Sequence, residues 1–400
     1  MLREEILKLV DFSNCISIKP SEKTSINDKD IQAKLQGFPK IEENSLIIVN
    51  DQYRSTPSSR IIKALRKIGK IKCPVTFIIA TGSHQPPTED EAIQLTNAGK
   101  HDKIIYHDVK NLKNPSYAGV TSRNTEVYYN PAIKGYSKII TIGSVEPHYF
   151  AGFTGGAKSL MPGISTKETI RQNHRWAMTS ETKLMKTKGN PAFEDIWESA
   201  NLIIPLEEVL TIQVVNHGDT ILHISTGKLV EAFEDAKAVS SKLLGEKFDM
   251  KFDRIISFVQ PPLDRNLYQS QKATENTRNV LKDGGTIVLV SQCSDGKETS
   301  AFFKKLEMIG SYKNILNTLS FEKYELGDHK AFKLAKIAES VEMLYVGGLA
   351  EDIVSTAYMK KISIGDFVDL FKKWKSDGDN ILIDEAGGFT AYYYDDSTEK

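Results

Sequence analysis

Three apolar runs in the first 150 residues each break off into a polar or glycine-bearing loop, and this repeated junction constrains the fold more than any other feature. Ser45-Leu46-Ile47-Ile48-Val49 leads into Asn50-Asp51-Gln52-Tyr53-Arg54-Ser55-Thr56-Pro57. Pro74 to Ala80 leads into Thr81-Gly82-Ser83-His84-Gln85-Pro86, and Lys138 to Gly143 runs toward Glu146-Pro147-His148. Short apolar runs bounded by turn residues read as buried strands. Amphipathic stretches such as Ser58 to Ile68 separate them, which is the alternation expected of parallel βαβ units. In an open α/β sheet the carboxyl ends of the strands converge on one crevice. Asp51, Arg54, His84 and His148 are therefore expected to meet there.

The third loop is the richest in chemistry. From Glu146 to Gly163 it carries His148, Lys158 and glycines 152, 155 and 156. The glycines permit backbone angles closed to other residues and leave room for a phosphate or a flat ring. Lys158 can serve as charge, base or covalent anchor; a tight strand-to-helix turn with a solvated lysine is the plainer alternative. Arg171-Gln172-Asn173-His174 lies one short helical segment further on.

Four hundred residues exceed what one hydrophobic core usually supports. The expected fold is α/β, with two Rossmann-like α/β domains and the active site in the cleft between them. A charged helical stretch from Val230 to Lys247 precedes a fresh apolar run, Arg254 to Val259, which divides the chain into residues 1–250 and 251–400 with a hinge near residue 250. Thr286 to Val290 and Met343 to Val346 read as further strands of the smaller second domain. Its conspicuous segment is Asp264 to Lys272, where Tyr268 and Lys272 share a face at the start of a helix beside Gln269. An ordinary helix start with exposed polar residues is the competing reading. Tyr392-Tyr393-Tyr394 reads as surface packing.

Lys plus Arg equals Asp plus Glu at 52 each, so the zero net charge gives no general footprint for nucleic acid or an anionic membrane. Three widely spaced cysteines, Cys15, Cys73 and Cys293, suit reduced thiols in a cytosol. The amino terminus carries acids where a signal peptide needs an apolar core, and no run approaches the length of a membrane span. The expectation is a cytoplasmic protein with a small-molecule substrate and no membrane or nucleic-acid partner; oligomeric state is not readable.

Taken together, the loops resemble the nickel-dependent lactate racemase family. The resemblance rests on D-x-x-R-x-T-P at Asp51 to Pro57, A-T-G-x-H at Ala80 to His84, the loop from Pro147 to Gly163, and His174. It extends through D-x-N-L-Y-Q-x-x-K, Asp264 to Lys272, and G-x-H-K-A-F, Gly327 to Phe332. Departures are small: Thr154 stands where serine is common, and Ser55 where proline often follows the arginine.

The resemblance implies an isomerase that racemises or epimerises a 2-hydroxy acid, lactate or a related carboxylate. It implies a nickel-pincer nucleotide, a pyridinium-3-thioamide-5-thiocarboxylate mononucleotide with nickel, tethered through Lys158. It further implies nickel coordination by His174 and cofactor contacts from Asp51, Gly155 and Gly156. His84 and His148 would be the general bases, while Arg54, Tyr268, Gln269 and Lys272 would hold the carboxylate. Hydride removal suits this substrate class, because the adjacent carboxylate makes deprotonation at Cα difficult. Separate synthesis enzymes would be needed to load the cofactor. On the residues alone Asp51 stays open between a satisfied turn aspartate and a partner of Arg54 or of the cofactor. His101, His107, His217, His223 and His329 are read as structural or surface residues. Alternatives are an aldonate epimerase of the same family, a zinc hydrolase using His84, His148 and His174, and a non-catalytic nucleotide-binding protein.

Overall fold

The structure is a computed structural model that describes residues 2–19, 25–261, 263–296, 301–388 and 390–394. The chain divides into two compact units, Lys23–Leu243 and the pair of segments Met1–Glu22 and Leu244–Lys400.

In the unit Lys23–Leu243 the apolar runs form a six-stranded sheet. Its order is Thr220–Lys228, Val209–His217, Lys138–Ser144, Ser45–Asn50, Thr76–Ala80 and Lys103–Tyr106. All pairings are parallel except the first, an antiparallel hairpin at the edge. Strand Ser45–Asn50 shows why helices cover both faces. Its alternate residues Ile47 and Val49 enter a core with Ile61, Ile62 and Leu65, while Leu46 and Ile48 enter another with Leu160, Met161 and Ile196. A strand buried on both faces needs a continuous apolar run, which is what the sequence supplies.

From Ser45–Asn50 the chain moves outward through Thr76–Ala80 to Lys103–Tyr106, then returns to lay Lys138–Ser144 on the other side. Strand order therefore reverses between Ser45–Asn50 and Lys138–Ser144. Loops leaving adjacent strands in opposite directions open a crevice at such a point. The two loops flanking it are those that carry Asp51 and Lys158.

The other unit has its own six-stranded sheet, in the order Ile16–Ile18, Ile381–Asp384, Phe252–Phe258, Leu281–Ser291, Glu342–Gly347 and Lys360–Lys361, with every pairing parallel. Residues 1–22, which sequence patterning places in the first domain, group here with residues 244–400. The reason is burial: Ile6 of helix Leu2–Leu9 is fully enclosed in a core with Phe258, Phe371 and Trp374, and Arg3 pairs with Glu385. The long helix before the boundary runs Leu229–Leu244. Strand Gly245–Phe248 follows and pairs with Ala391–Tyr394. That pairing corrects the reading of the tyrosine run as surface packing. Tyr392 is fully buried, and its hydroxyl donates to Asp384.

Ile6→Ala should therefore cost about 2–5 kcal/mol, the usual range for truncating an enclosed aliphatic side chain. Hydrogen exchange should show protection lost in Phe252–Phe258 and Ile364–Asp377, with Ser45–Asn50 and Lys138–Ser144 unchanged.

Candidate active site

The loop after Ser45–Asn50 is braced from within. Asp51 is buried, its carbonyl accepts the Arg54 N–H at 3.2 Å, and Asn50 Nδ2 donates to Thr56 Oγ1 at 2.7 Å. Thr56 Oγ1 in turn lies 2.8 Å from Ser144 Oγ, so the two strands at the reversal are joined at their ends. The neighbouring loop turns back as the His84 N–H bonds Thr81 O, and Gly82 N–H reaches Gly163 O at 3.0 Å. Strand-end backbone thus fixes the distance between the histidine loop and the glycine loop.

These braces bring His84 Nδ1 to 2.6 Å from Asp51 Oδ2. Set against a carboxylate oxygen, Nδ1 is the donor, and the neutral ring then carries its lone pair on Nε2. Tyr53 packs edge-on against the same ring, with centroids 4.9 Å apart. The Asp51 carboxylate thus faces His84, a partner that neither reading of the sequence gives it.

The glycine loop is shaped by close packing. At Gly155, φ is +76° and an added Cβ would stand 2.6 Å from Gln213 Oε1 and Val145. At Gly156 it would stand 2.7 Å from the Phe233 ring and 2.9 Å from Trp197. Gly155 lines the pocket, whereas the missing side chain of Gly156 makes way for aromatic rings. The Thr154 hydroxyl donates to Ser144 O at 2.7 Å and accepts the Glu146 N–H at 2.9 Å, so threonine performs the loop-closing task open to serine. The Ser55 carbonyl is bound by Asn216 Nδ2 at 2.7 Å, which holds the turn where a proline would stiffen it.

One pocket in this unit is lined by residues that include Asp51, Arg54, His84, Gly155, Lys158 and His174. Burial is the main force pulling the Lys158 amine well below the ordinary lysine range, and the Arg54 guanidinium adds to it. A lowered amine pKa enlarges the share of the free-base form, which is the nucleophilic one. The Phe150 ring lies beside one amine and two imidazoles: its centroid is 5.8 Å from Lys158 Nζ, 5.2 Å from the His174 ring and 4.7 Å from the His148 ring. His148 is not among the pocket-lining residues. It ends the two-residue strand Pro147–His148, and its Nδ1 accepts the Ala151 N–H at 3.2 Å. The neutral His148 ring accordingly carries its proton on Nε2, opposite to His84.

Tyr268, Gln269 and Lys272 belong to the other unit. Helix Leu267–Ser270 is capped by Asn266, and Lys272 begins helix Lys272–Thr277; Gln271 between them keeps α-helical angles, so the expected continuous start is a nearly unbroken pair of short helices. Beyond them burial pushes Glu275 up to about 7 and draws Lys333 down to about 8, two shifts the sequence did not signal. His107 and His329, read as structural or surface, are buried, and burial lowers them to about 4 and about 3. Among the described residues no group of three or more His, Cys, Asp or Glu could hold a metal ion. The zinc-hydrolase alternative thus lacks a ligand cluster among those residues. With His84 bonded to Asp51, the His174 imidazole and the depressed Lys158 amine suit a ligand that brings most of its own metal donors. No helix among the described residues is long and apolar enough to cross a membrane.

The lactate racemase N-terminal domain model matches residues 13–186, and the lactate racemase C-terminal domain model matches residues 253–366. A lactate racemase from Thermoanaerobacterium thermosaccharolyticum is 26% identical over 303 residues, covering 72% of this chain and 68% of the relative. One from Lactiplantibacillus plantarum is 26% identical over 314 residues, covering 76% and 73%. Among solved structures, the lactate racemase apoprotein from T. thermosaccharolyticum superposes with a TM-score of 0.80 at 21% identity, over 95% of this chain and 94% of that one. A Thermotoga maritima protein superposes at 0.67 and 16% identity, over 94% and 100%. Both likenesses speak to the fold.

The depressed Lys158 implies a cost to folding. Its folded pKa lies below the unfolded value, so the folded state binds fewer protons and stability rises with pH through the interval between the two. Lys158→Met should raise the unfolding midpoint at neutral pH, by roughly 2–4 °C for each ~1 kcal/mol relieved in a unit of this size. Its stability should also lose that pH dependence in calorimetric scans.

Proposed function

The chain belongs to the lactate racemase family and is an isomerase, and from that premise we propose that it racemises or epimerises a 2-hydroxy carboxylate, with lactate as the reference substrate. The observation that carries the reading is the buried Asp51 bonded to His84 at 2.6 Å in the same pocket as Lys158 and His174. The residues fit a tethered nickel-pincer nucleotide. Lys158 has the depressed amine needed for attachment, and His174 offers an imidazole to nickel. When bound, that group supplies a reversible hydride acceptor.

The protein's own part is to place and deprotonate the substrate. Arg54 has an exposed guanidinium suited to bidentate carboxylate binding. Tyr268, Gln269 and Lys272 are proposed to share in holding the carboxylate. His84, with Nδ1–H committed to Asp51, accepts the substrate hydroxyl proton at Nε2, and Asp51 stabilises the imidazolium that results. His148 accepts the Ala151 N–H at Nδ1, which leaves the hydrogen of its neutral ring on Nε2. To act as base for the opposite enantiomer it has to exchange its contact with the Ala151 N–H.

Intact-mass and nickel analysis of protein co-expressed with pincer-nucleotide synthesis enzymes tests the reading. The expected result is a covalent nucleotide-sized adduct with nickel, both absent in Lys158→Ala. Wild-type chain with neither, from a system that loads a known racemase, would overturn it. Chiral chromatography on a panel of 2-hydroxy acids, from lactate to aldonates, then identifies the substrate. In loaded enzyme His84→Asn should lower turnover about 10²–10⁴-fold. Asp51→Asn, which presents an amide to Nδ1 and so disfavours the Nε2 lone pair, should cost about 10²-fold or more with the adduct retained.

A further inference from the structure

We infer that Asn173, clamped by the buried carboxylate of Asp195, is a positioning residue that locks His174 in the Nδ1–H tautomer and so presents Nε2 as the donor to a metal. The inference rests on the reading of His174 as the nickel ligand, but its geometry stands by itself. Asn173 and Asp195 are both fully enclosed. Asp195 accepts the hydroxyls of Thr121 at 2.6 Å and Thr125 at 2.9 Å, and the Asn173 amide at 2.8 Å.

The orientation of the Asn173 amide follows from chemistry. Its nitrogen lies 3.0 Å from the Ala192 carbonyl and 2.8 Å from Asp195 Oδ2, and both are acceptors, so the NH₂ group faces them and is fully used. The opposite assignment would set an amide oxygen against two oxygens. Asn173 Oδ1 must then face His174, whose Nδ1 is 3.2 Å away. An amide oxygen only accepts, so Nδ1 carries the hydrogen and the neutral ring keeps its lone pair on Nε2. His174 itself lines the pocket. Enclosing a carboxylate is expensive unless its lone pairs are satisfied. Here three donors satisfy it, and the chain of bonds ends on the one imidazole assigned to metal. Outer partners of this kind fix the tautomer and direction of a ligating histidine.

Long-range ¹H–¹⁵N spectra of the full-length chain labelled at histidine nitrogen, with His174 assigned by its loss in His174→Gln, test the lock before any cofactor is loaded. The wild type should show His174 as the Nδ1–H tautomer, and Asn173→Ala should show it redistributed toward Nε2–H. Wild-type His174 found protonated at Nε2, or a spectrum unchanged by Asn173→Ala, would overturn the inference. If Asn173→Ala does not fold, the wild-type spectrum decides alone. In loaded protein challenged with a chelator, Asn173→Ala should retain nickel about 10–100-fold less well. Equal retention would remove the metal-presenting role. Wild-type protein that loads no nickel brings down the racemase reading itself, while the tautomer is still judged in the unloaded chain.

Discussion

Everything in the candidate site depends on the reversal of strand order between Ser45–Asn50 and Lys138–Ser144. At that point two loops leave neighbouring strands and turn away from each other, the arrangement that opens a crevice in an α/β sheet. Both strands are buried on each face, so a one-residue slip would exchange the side chains fitted to one core with those fitted to the other. The Thr56–Ser144 hydroxyl contact and the Gly82–Gly163 backbone bond transmit that rigidity into the loops. Side chains that come from sequence positions as distant as Asp51, Lys158 and His174 are thereby held to a common pocket by sheet register.

The pocket carries an electrostatic tension that only this rigidity sustains. The Arg54 guanidinium and the depressed Lys158 amine share one cavity, and no acidic residue pairs with Lys158 among the described contacts. Asp51, the nearest carboxylate of the loop, is committed to His84. The result is a depressed amine and an oriented imidazole lining one pocket. Such arrangements lower stability locally and are common where binding or catalysis supplies the compensation.

The strands and their loops were legible in the sequence because an apolar run followed by glycine, proline or a short polar residue leaves few local alternatives. The runs at Ser45, Pro74, Lys138, Arg254, Thr286 and Met343 all correspond to strands within a few residues. Site residues were legible as types on those loops. What stayed hidden required tertiary knowledge. The Ile16–Ile18 strand is three residues long with a serine at its centre, and its place is set by a partner at Leu382. Tyr392 looks like surface aromatic character until Asp384 and the strand Gly245–Phe248 enclose it. Asn173 and Asp195 are ordinary helix polar residues in one dimension, and only their shared enclosure marks them out. The glycines were read as room for a ligand, but at Gly156 the room is taken by Phe233 and Trp197.

The pairing of Ile16–Ile18 with Ile381–Asp384 makes the unit Lys23–Leu243 an insertion within its neighbour. The chain passes between the units twice, at Glu22/Lys23 and at Leu243/Leu244. During vectorial synthesis the inserted unit has all its strands available before its host does. The host must keep an unpaired edge strand and an amphipathic helix waiting until the last strands emerge. Folding order is thus written into the topology: the unit with the pocket is able to form first, and the host sheet closes last, by a contact of very high sequence separation.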